Sequence, residues 1–178
     1  DFDPVTGKLW DTENGEDVYD EINFVEPGFN SGWKAAMGPI ATSGISAQSD
    51  LVNFEGSHYA DPVFSWAESR GITDIGFLKS SKLGDAYKDN IFVGDITAGN
   101  LFFFKINDDR TGLSLKDSSS LSDLIANNDD ESSEVTLGTG FLGITDIETG
   151  PDGYLYVLTY DQQADGQGDL YRIVPSTV

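Results

Sequence analysis

The sequence predicts an all-β chain made of β-propeller blades, about three of them in 178 residues. Three observations predict it. The pentapeptide Gly-Ile-Thr-Asp-Ile stands at residues 71–75 and again at 143–147, and self-similarity at that spacing marks one supersecondary unit used more than once. Strand signals run along the whole chain, and a helical period is hard to find. Leu101-Phe102-Phe103-Phe104 is apolar without interruption, whereas a strand with one wet face alternates apolar and polar residues, so this one is buried on both faces. An antiparallel sheet covered on both faces implies stacked sheets, and a spaced repeat of such sheets implies radial stacking. An ordinary β-sandwich would supply the strands without the repeat.

Taken in order, residues 1–37 form an incomplete blade. Its turn is Phe2-Asp3-Pro4-Val5-Thr6-Gly7, where proline presets φ and glycine accepts positive φ. Strands follow near residues 8–13 and 21–26. Residues 38–60, rich in Gly, Ala and Ser, read as a long surface loop within the domain. Residues 61–137 form a blade with strands near 71–78, 90–96 and 100–106. Inside it the serines at 118–120 are placed to cap a short helix over 118–126, with Leu121, Leu124 and Ile125 on one face. Residues 127–134 read as an acidic polar loop. Residues 138–178 form the last blade, with strands near 143–149, 154–160 and 168–174 and the turn Pro151-Asp152-Gly153 between the first two. The chain opens on Asp1, its one methionine is Met37, and the first blade lacks its opening strand, so a fragment or processed piece of a larger propeller is expected. An arc of about three blades exposes an apolar face at each end, and such faces mark interfaces. The expected partner is the remainder of its own propeller or a second copy in a homodimer.

Composition narrows the function. Lys and Arg number 10 against 31 Asp and Glu, a formal charge of −21. That argues against nucleic acid and anionic membrane surfaces, which need basic patches, and favours cation binding, solubility or a salty habitat. No run approaches the ~20 apolar residues of a membrane span. Without cysteine there is no disulfide or thiolate–metal framework, and with His58 as the one histidine a zinc site is not expected. Asp11, Glu13, Asp17, Asp20 and Glu21 crowd one segment, and calcium takes six to eight hard oxygens from carboxylates and carbonyls. A solvated acidic loop is the alternative.

Leu9-Trp10-Asp11-Thr12-Glu13-Asn14-Gly15, Asp20-Glu21-Ile22-Asn23 and Pro27-Gly28-Phe29-Asn30-Ser31-Gly32-Trp33 together resemble a signature of the soluble quinoprotein glucose/sorbosone dehydrogenases. Asp61-Pro62-Val63-Phe64-Ser65-Trp66 and residues 150–159 are similar to further elements of that family. The resemblance implies the C-terminal half of a six-bladed propeller, in an extracellular or periplasmic protein that oxidises a sugar or alcohol with pyrroloquinoline quinone (PQQ) and calcium. It places the cofactor's calcium on the backbone carbonyls of Gly15 and Glu16, and a structural calcium on Glu21 and the Ser31 carbonyl. The family's catalytic histidine lies in the absent half, so no catalytic residue is assigned here. The chain departs from the pattern where the family meets the quinone's carboxylates with cations: Gly143 and Thr145 stand at two arginine positions, and residues 96–100 hold no lysine. The alternative is a calcium-binding propeller scaffold or interaction module that has lost the quinone. Either way, the isolated chain is expected to be inactive.

Overall fold

The computed structural model describes residues 1–115, 120–164 and 166–176. In chain order its elements are β1 (Leu9–Glu13), β2 (Val18–Val25), β3 (Phe29–Asn30), β4 (His58–Tyr59), β5 (Phe64–Glu68), β6 (Ile72–Phe77), β7 (Ile91–Asp95), β8 (Leu101–Phe104), β9 (Ile125–Ala126), α1 (Asp129–Ser133), β10 (Thr136–Gly138), β11 (Gly143–Thr149), β12 (Leu155–Tyr160) and β13 (Leu170–Ile173). They assemble into sheets ordered β1-β2-β5-β9, β10-β8-β7-β6 and β11-β12-β13, with β3-β4 a small parallel pair. The three larger sheets are propeller blades, packed face to face.

The packing follows from the alternation of side chains along each strand. One core lies between the first and second sheets, where Trp10, Ile22, Phe64 and Trp66 meet Phe77, Val93, Phe102 and Phe104. The Trp66 and Phe102 rings are 4.9 Å apart and those of Phe64 and Phe104 are 4.8 Å apart, within the range that stabilises aromatic pairs. A second core lies between the second and third sheets, where Leu78, Phe92 and Leu101 meet Ile144, Ile147, Leu155 and Val157. Strand β8 therefore contributes to both cores, as its unbroken apolar run predicts.

Two expectations need correction. Residues 61–137 do not make a single sheet. Phe64 pairs with Ile22 and Trp66 with Asp20 across β2, so β5 completes the first sheet, and β9 joins it in parallel. The local sequence does not carry this, because the pairing depends on a partner about 40 residues upstream that supplies the other half of the apolar face. The expected helix over 118–126 is the second. Residues 118 and 119 lie outside the described residues, and the described remainder is a turn leading into β9, with Leu124 at φ 64°. The helix falls instead on Asp129–Ser133, where the acidic loop was expected. The Asn128 side chain accepts from the Glu131 N–H, and Asp129, Asp130 and Glu131 occupy the first turn, which complements the helix dipole.

The repeated pentapeptide has a structural role. Both copies enter an edge strand of a sheet, β6 and β11, and both carry a register irregularity at the same step, between Ile72 and Asp74 and between Ile144 and Asp146. The bulge turns Thr73 and Asp74 toward the next blade. Thr73 Oγ1 donates to the Ile144 carbonyl at 2.7 Å, and the Ile147 N–H donates to Asp74 Oδ2 at 2.6 Å. Thr149 Oγ1 returns a bond to the Phe77 carbonyl at 3.1 Å.

Candidate functional site

Two regions gather functional side chains. The first is the outer face of the first blade. Strand pairing sets Asp11 opposite Asn23, Glu13 opposite Glu21, and Glu21 opposite Ser65. With a period of two, all five project away from the Trp10–Trp66 core. Glu21, Asn23 and Ser65 are 0–1% exposed. The backbone N–H of Gly38 donates to Glu21 Oε1, and Asn23 Nδ2 donates to Glu21 Oε2 at 3.4 Å. Ser31 Oγ donates to Glu13 Oε2 at 2.8 Å. Loss of water raises the carboxyls of Asp11 and Glu13 and pushes Glu21 up to about 7. Three oxygens here, Asp11 Oδ1, Asn23 Oδ1 and Ser65 Oγ, are buried without a hydrogen-bond partner, an arrangement that costs free energy unless something else satisfies them.

The Ser31 hydroxyl, rather than the Ser31 carbonyl that the resemblance assigns, meets Glu13, which stands opposite Glu21. Asp17 is exposed. Asp20 points to the opposite face, where it accepts from the Gly15 N–H at 3.2 Å, Ser69 Oγ at 3.0 Å and the Gly71 N–H at 2.7 Å. Asn23 and Ser65 were not singled out from the sequence. The available signal was Asn23 two positions after Glu21 on one strand; Ser65 became a neighbour only through β5. Among the described residues no group of three or more His, Asp or Glu side chains is placed to hold a metal, so a cation here must draw on amide, hydroxyl or carbonyl oxygens as well.

Gly15 has no room for a side chain, since a Cβ would lie 1.7 Å from the Val18 carbonyl oxygen. Glu16 is exposed and 3.5 Å from Lys34 Nζ. His58 is exposed on β4.

The second region is a cleft of about 200 Å³ between the second and third blades, lined by residues 96–99, 141–143 and 160–163. Asp95, fully buried, shapes one wall: Oδ1 accepts from the Ala98 and Gly99 N–H groups at 2.6 and 2.8 Å, and Oδ2 from Asn100 Nδ2 at 2.8 Å. The Gln162 side-chain amide donates to the Ile96 carbonyl and ties the opposite wall to it. Among the described residues the lining contains one carboxylate, Asp161, and no lysine, arginine or histidine. At Gly143 a Cβ would stand 2.7 Å from both Ile96 Cγ1 and the Ile96 carbonyl oxygen, so no longer side chain fits there as the walls stand. Thr145 Oγ1 is engaged with the Leu158 carbonyl at 3.3 Å.

Comparison with known proteins places these features. The glucose/sorbosone dehydrogenase family matches over residues 1–172. Aldose sugar dehydrogenase YliI of Escherichia coli is 28% identical over 177 residues, which is 98% of this chain and 40% of that protein. The solved apo form of the soluble aldose sugar dehydrogenase of Escherichia coli superposes with a TM-score of 0.64 at 26% identity, covering 99% of this chain and 44% of that one. The PQQ-bound aldose sugar dehydrogenase of Streptomyces coelicolor gives a TM-score of 0.54 at 20% identity, covering 94% and 40%, a likeness of fold. The chain spans 35–40% of the length of the curated relatives it matches.

Proposed function

We propose, from the premise that this chain belongs to the glucose/sorbosone dehydrogenase family, that it is the C-terminal part of a propeller that oxidises an aldose sugar or related alcohol in the intact protein, outside the cytoplasm. The observation that carries the reading is the family match along nearly the whole chain on a stack of blades. In this part the sequence supplies scaffold and cation ligands. No residue of this chain is assigned as a catalytic base.

The residues fit calcium and do not fit the quinone. On the outer face of the first blade, Glu13 and Glu21 supply carboxylates, and Asn23 Oδ1, Asp11 Oδ1 and Ser65 Oγ are buried oxygens lacking partners. Calcium accepts such a mixed set of hard oxygens, and Ser31 stands beside it on Glu13. A calcium ion there neutralises opposed carboxylates and fastens the 26–60 loop, through Ser31 and Gly38, to the blade. The quinone's carboxylates need cationic partners, and among the described residues the cleft offers Asp161 and none of the opposite sign. Gly15, closely packed and tethered to Asp20, keeps the loop in which the Gly15 and Glu16 carbonyls lie, but two carbonyls do not neutralise a polyanion.

That deficit favours a second reading, a calcium-binding propeller scaffold or interaction module. A dye-reduction assay separates them. With PQQ, calcium and an aldose, the intact protein turns over on the first reading and stays silent on the second. The isolated chain reduces no dye on either, and turnover by this chain alone would overturn the assignment of the missing groups.

A further inference from the structure

We infer that Met37 is a site of reversible oxidation by hydroperoxides, and that its thioether is a latch whose oxidation frees the 33–38 segment from the first blade. The contacts of the sulfur carry this. Met37 Sδ accepts the Glu16 N–H at 3.0 Å, a donor on the turn between β1 and β2. The next residue holds the blade at a second point, where the Gly38 N–H donates to Glu21 Oε1 on β2. An exposed Lys34–Glu16 pair at 3.5 Å adds little to these ties. The segment has no slack here. Gly38 is buried against the Tyr19 ring, where a Cβ would lie 2.5 Å from Tyr19 Cδ1. Ala36 is fully buried, and its N–H donates to the Gly32 carbonyl at 2.9 Å. Met37 between them is half-buried, which leaves it within reach of a small oxidant. It is the chain's one methionine, and there is no cysteine, so mild peroxide has a single sulfur to act on.

The chemistry is a two-electron oxygen transfer. A sulfur lone pair attacks one peroxide oxygen, an S–O bond forms and the O–O bond breaks. The hydroxide that leaves takes up the proton of the transferred oxygen. Thioether and hydrogen peroxide thus become sulfoxide and water, the sulfur oxidised and the peroxide reduced. The product is polar and larger than the apolar side chain it replaces. Its oxygen cannot take over the Glu16 N–H in place. Nitrogen and sulfur are already 3.0 Å apart, and an N–H···O bond of about 2.9 Å needs the sulfur a full S–O bond further back. Gly38, wedged against Tyr19, has no room to absorb that shift, so the segment lifts from the blade. The Gly38 N–H leaves Glu21 with it, and the acidic face of the first blade loses part of its cover.

The test treats the folded 178-residue chain with hydrogen peroxide and locates the added oxygen by intact mass and peptide mapping. Amide hydrogen exchange is read residue by residue by NMR before oxidation, after it, and after reduction with a methionine sulfoxide reductase. One oxygen enters, at Met37. Exchange at the Glu16 and Gly38 amides quickens about tenfold or more, while Phe102 and Phe104 in β8 keep their rates. The reductase restores the original pattern. Met37→Leu has no sulfur to oxidise, and its exchange is the same with and without peroxide. Where that variant does not fold, the oxidation and reduction cycle on the unsubstituted chain decides alone. A folded chain that resists peroxide would overturn the inference, as would oxygen entering a tryptophan in place of Met37. So would an oxidised chain whose Glu16 and Gly38 amides exchange as before, or a Met37→Leu chain that responds equally to peroxide. Calcium and quinone are left out throughout, so the outcome is independent of the cation and enzyme readings.

Discussion

Arg110→Ala tests what joins the opening turn of the first blade to the second blade. Asp3 is 1% exposed. Arg110 grips it with both arms of the guanidinium, Nε to Oδ2 at 2.7 Å and Nη2 to Oδ1 at 2.6 Å, and Nη2 also donates to the Asp89 carbonyl at 2.7 Å. Thr6 Oγ1 and the Val5 N–H complete the shell at 2.6 and 2.9 Å. Burial alone would raise the Asp3 carboxyl, but Arg110 and the local hydrogen bonds prevail and hold it at about 2. A folded-state pKa depressed below the unfolded value near 3.8 contributes stability that is present above pH 3.8 and is lost as pH falls through about 2. The shift is worth about 2 kcal/mol. Removing the arginine at pH 7 leaves a buried carboxylate without its counter-charge, at about 3 kcal/mol, a large share of the ~5–15 kcal/mol of a typical domain. Urea unfolding is followed through buried Trp10 and Trp66 at pH 7 and at pH 2.5. The variant is less stable by about 3 kcal/mol at pH 7, and the gap narrows to roughly 1 kcal/mol at pH 2.5, where Asp3 of the variant, lacking its cation, is protonated and leaves no uncompensated charge. Equal stabilities at pH 7, or a gap that does not change with pH, would refute the reasoning.

Asp95→Ala strips the acceptor from the Ala98 and Gly99 N–H groups; a loss of about 3 kcal/mol in urea unfolding is expected, and an unchanged stability would show that the turn holds itself. Gly143→Arg puts a Cβ against Ile96 and lowers the melting midpoint by about 2–12 °C, for a strain of about 1–3 kcal/mol, without creating quinone binding; a stable variant that binds PQQ would show that one arginine restores the site. Calcium at a hundredfold excess over its dissociation constant stabilises the chain by about 2.7 kcal/mol, and Glu21→Gln removes most of that gain; equal calcium stabilisation in both proteins would move the ion elsewhere.

How far the sequence discloses this molecule depends on the range of the interactions involved. The two pentapeptide copies are legible because a bulge and its turn are local, and Leu101–Phe104 because burial on both faces removes alternation from the sequence itself. Strand β5 is not legible as part of the first blade, since Phe64 and Trp66 find Ile22 and Phe102 only after the chain has folded back. The same holds for Ser65, an ordinary polar residue until pairing sets it opposite Glu21.

The repeat's first copy has a structural role. Asp74, half-buried and raised by that burial, accepts from the Ile147 N–H of the following blade, and Thr73 donates to the Ile144 carbonyl beside it. The pentapeptide there fastens one blade to the next. Glu13, Glu21, Asn23 and Ser65, gathered by strand pairing on the outer face of the first blade, are where ligand chemistry is to be sought.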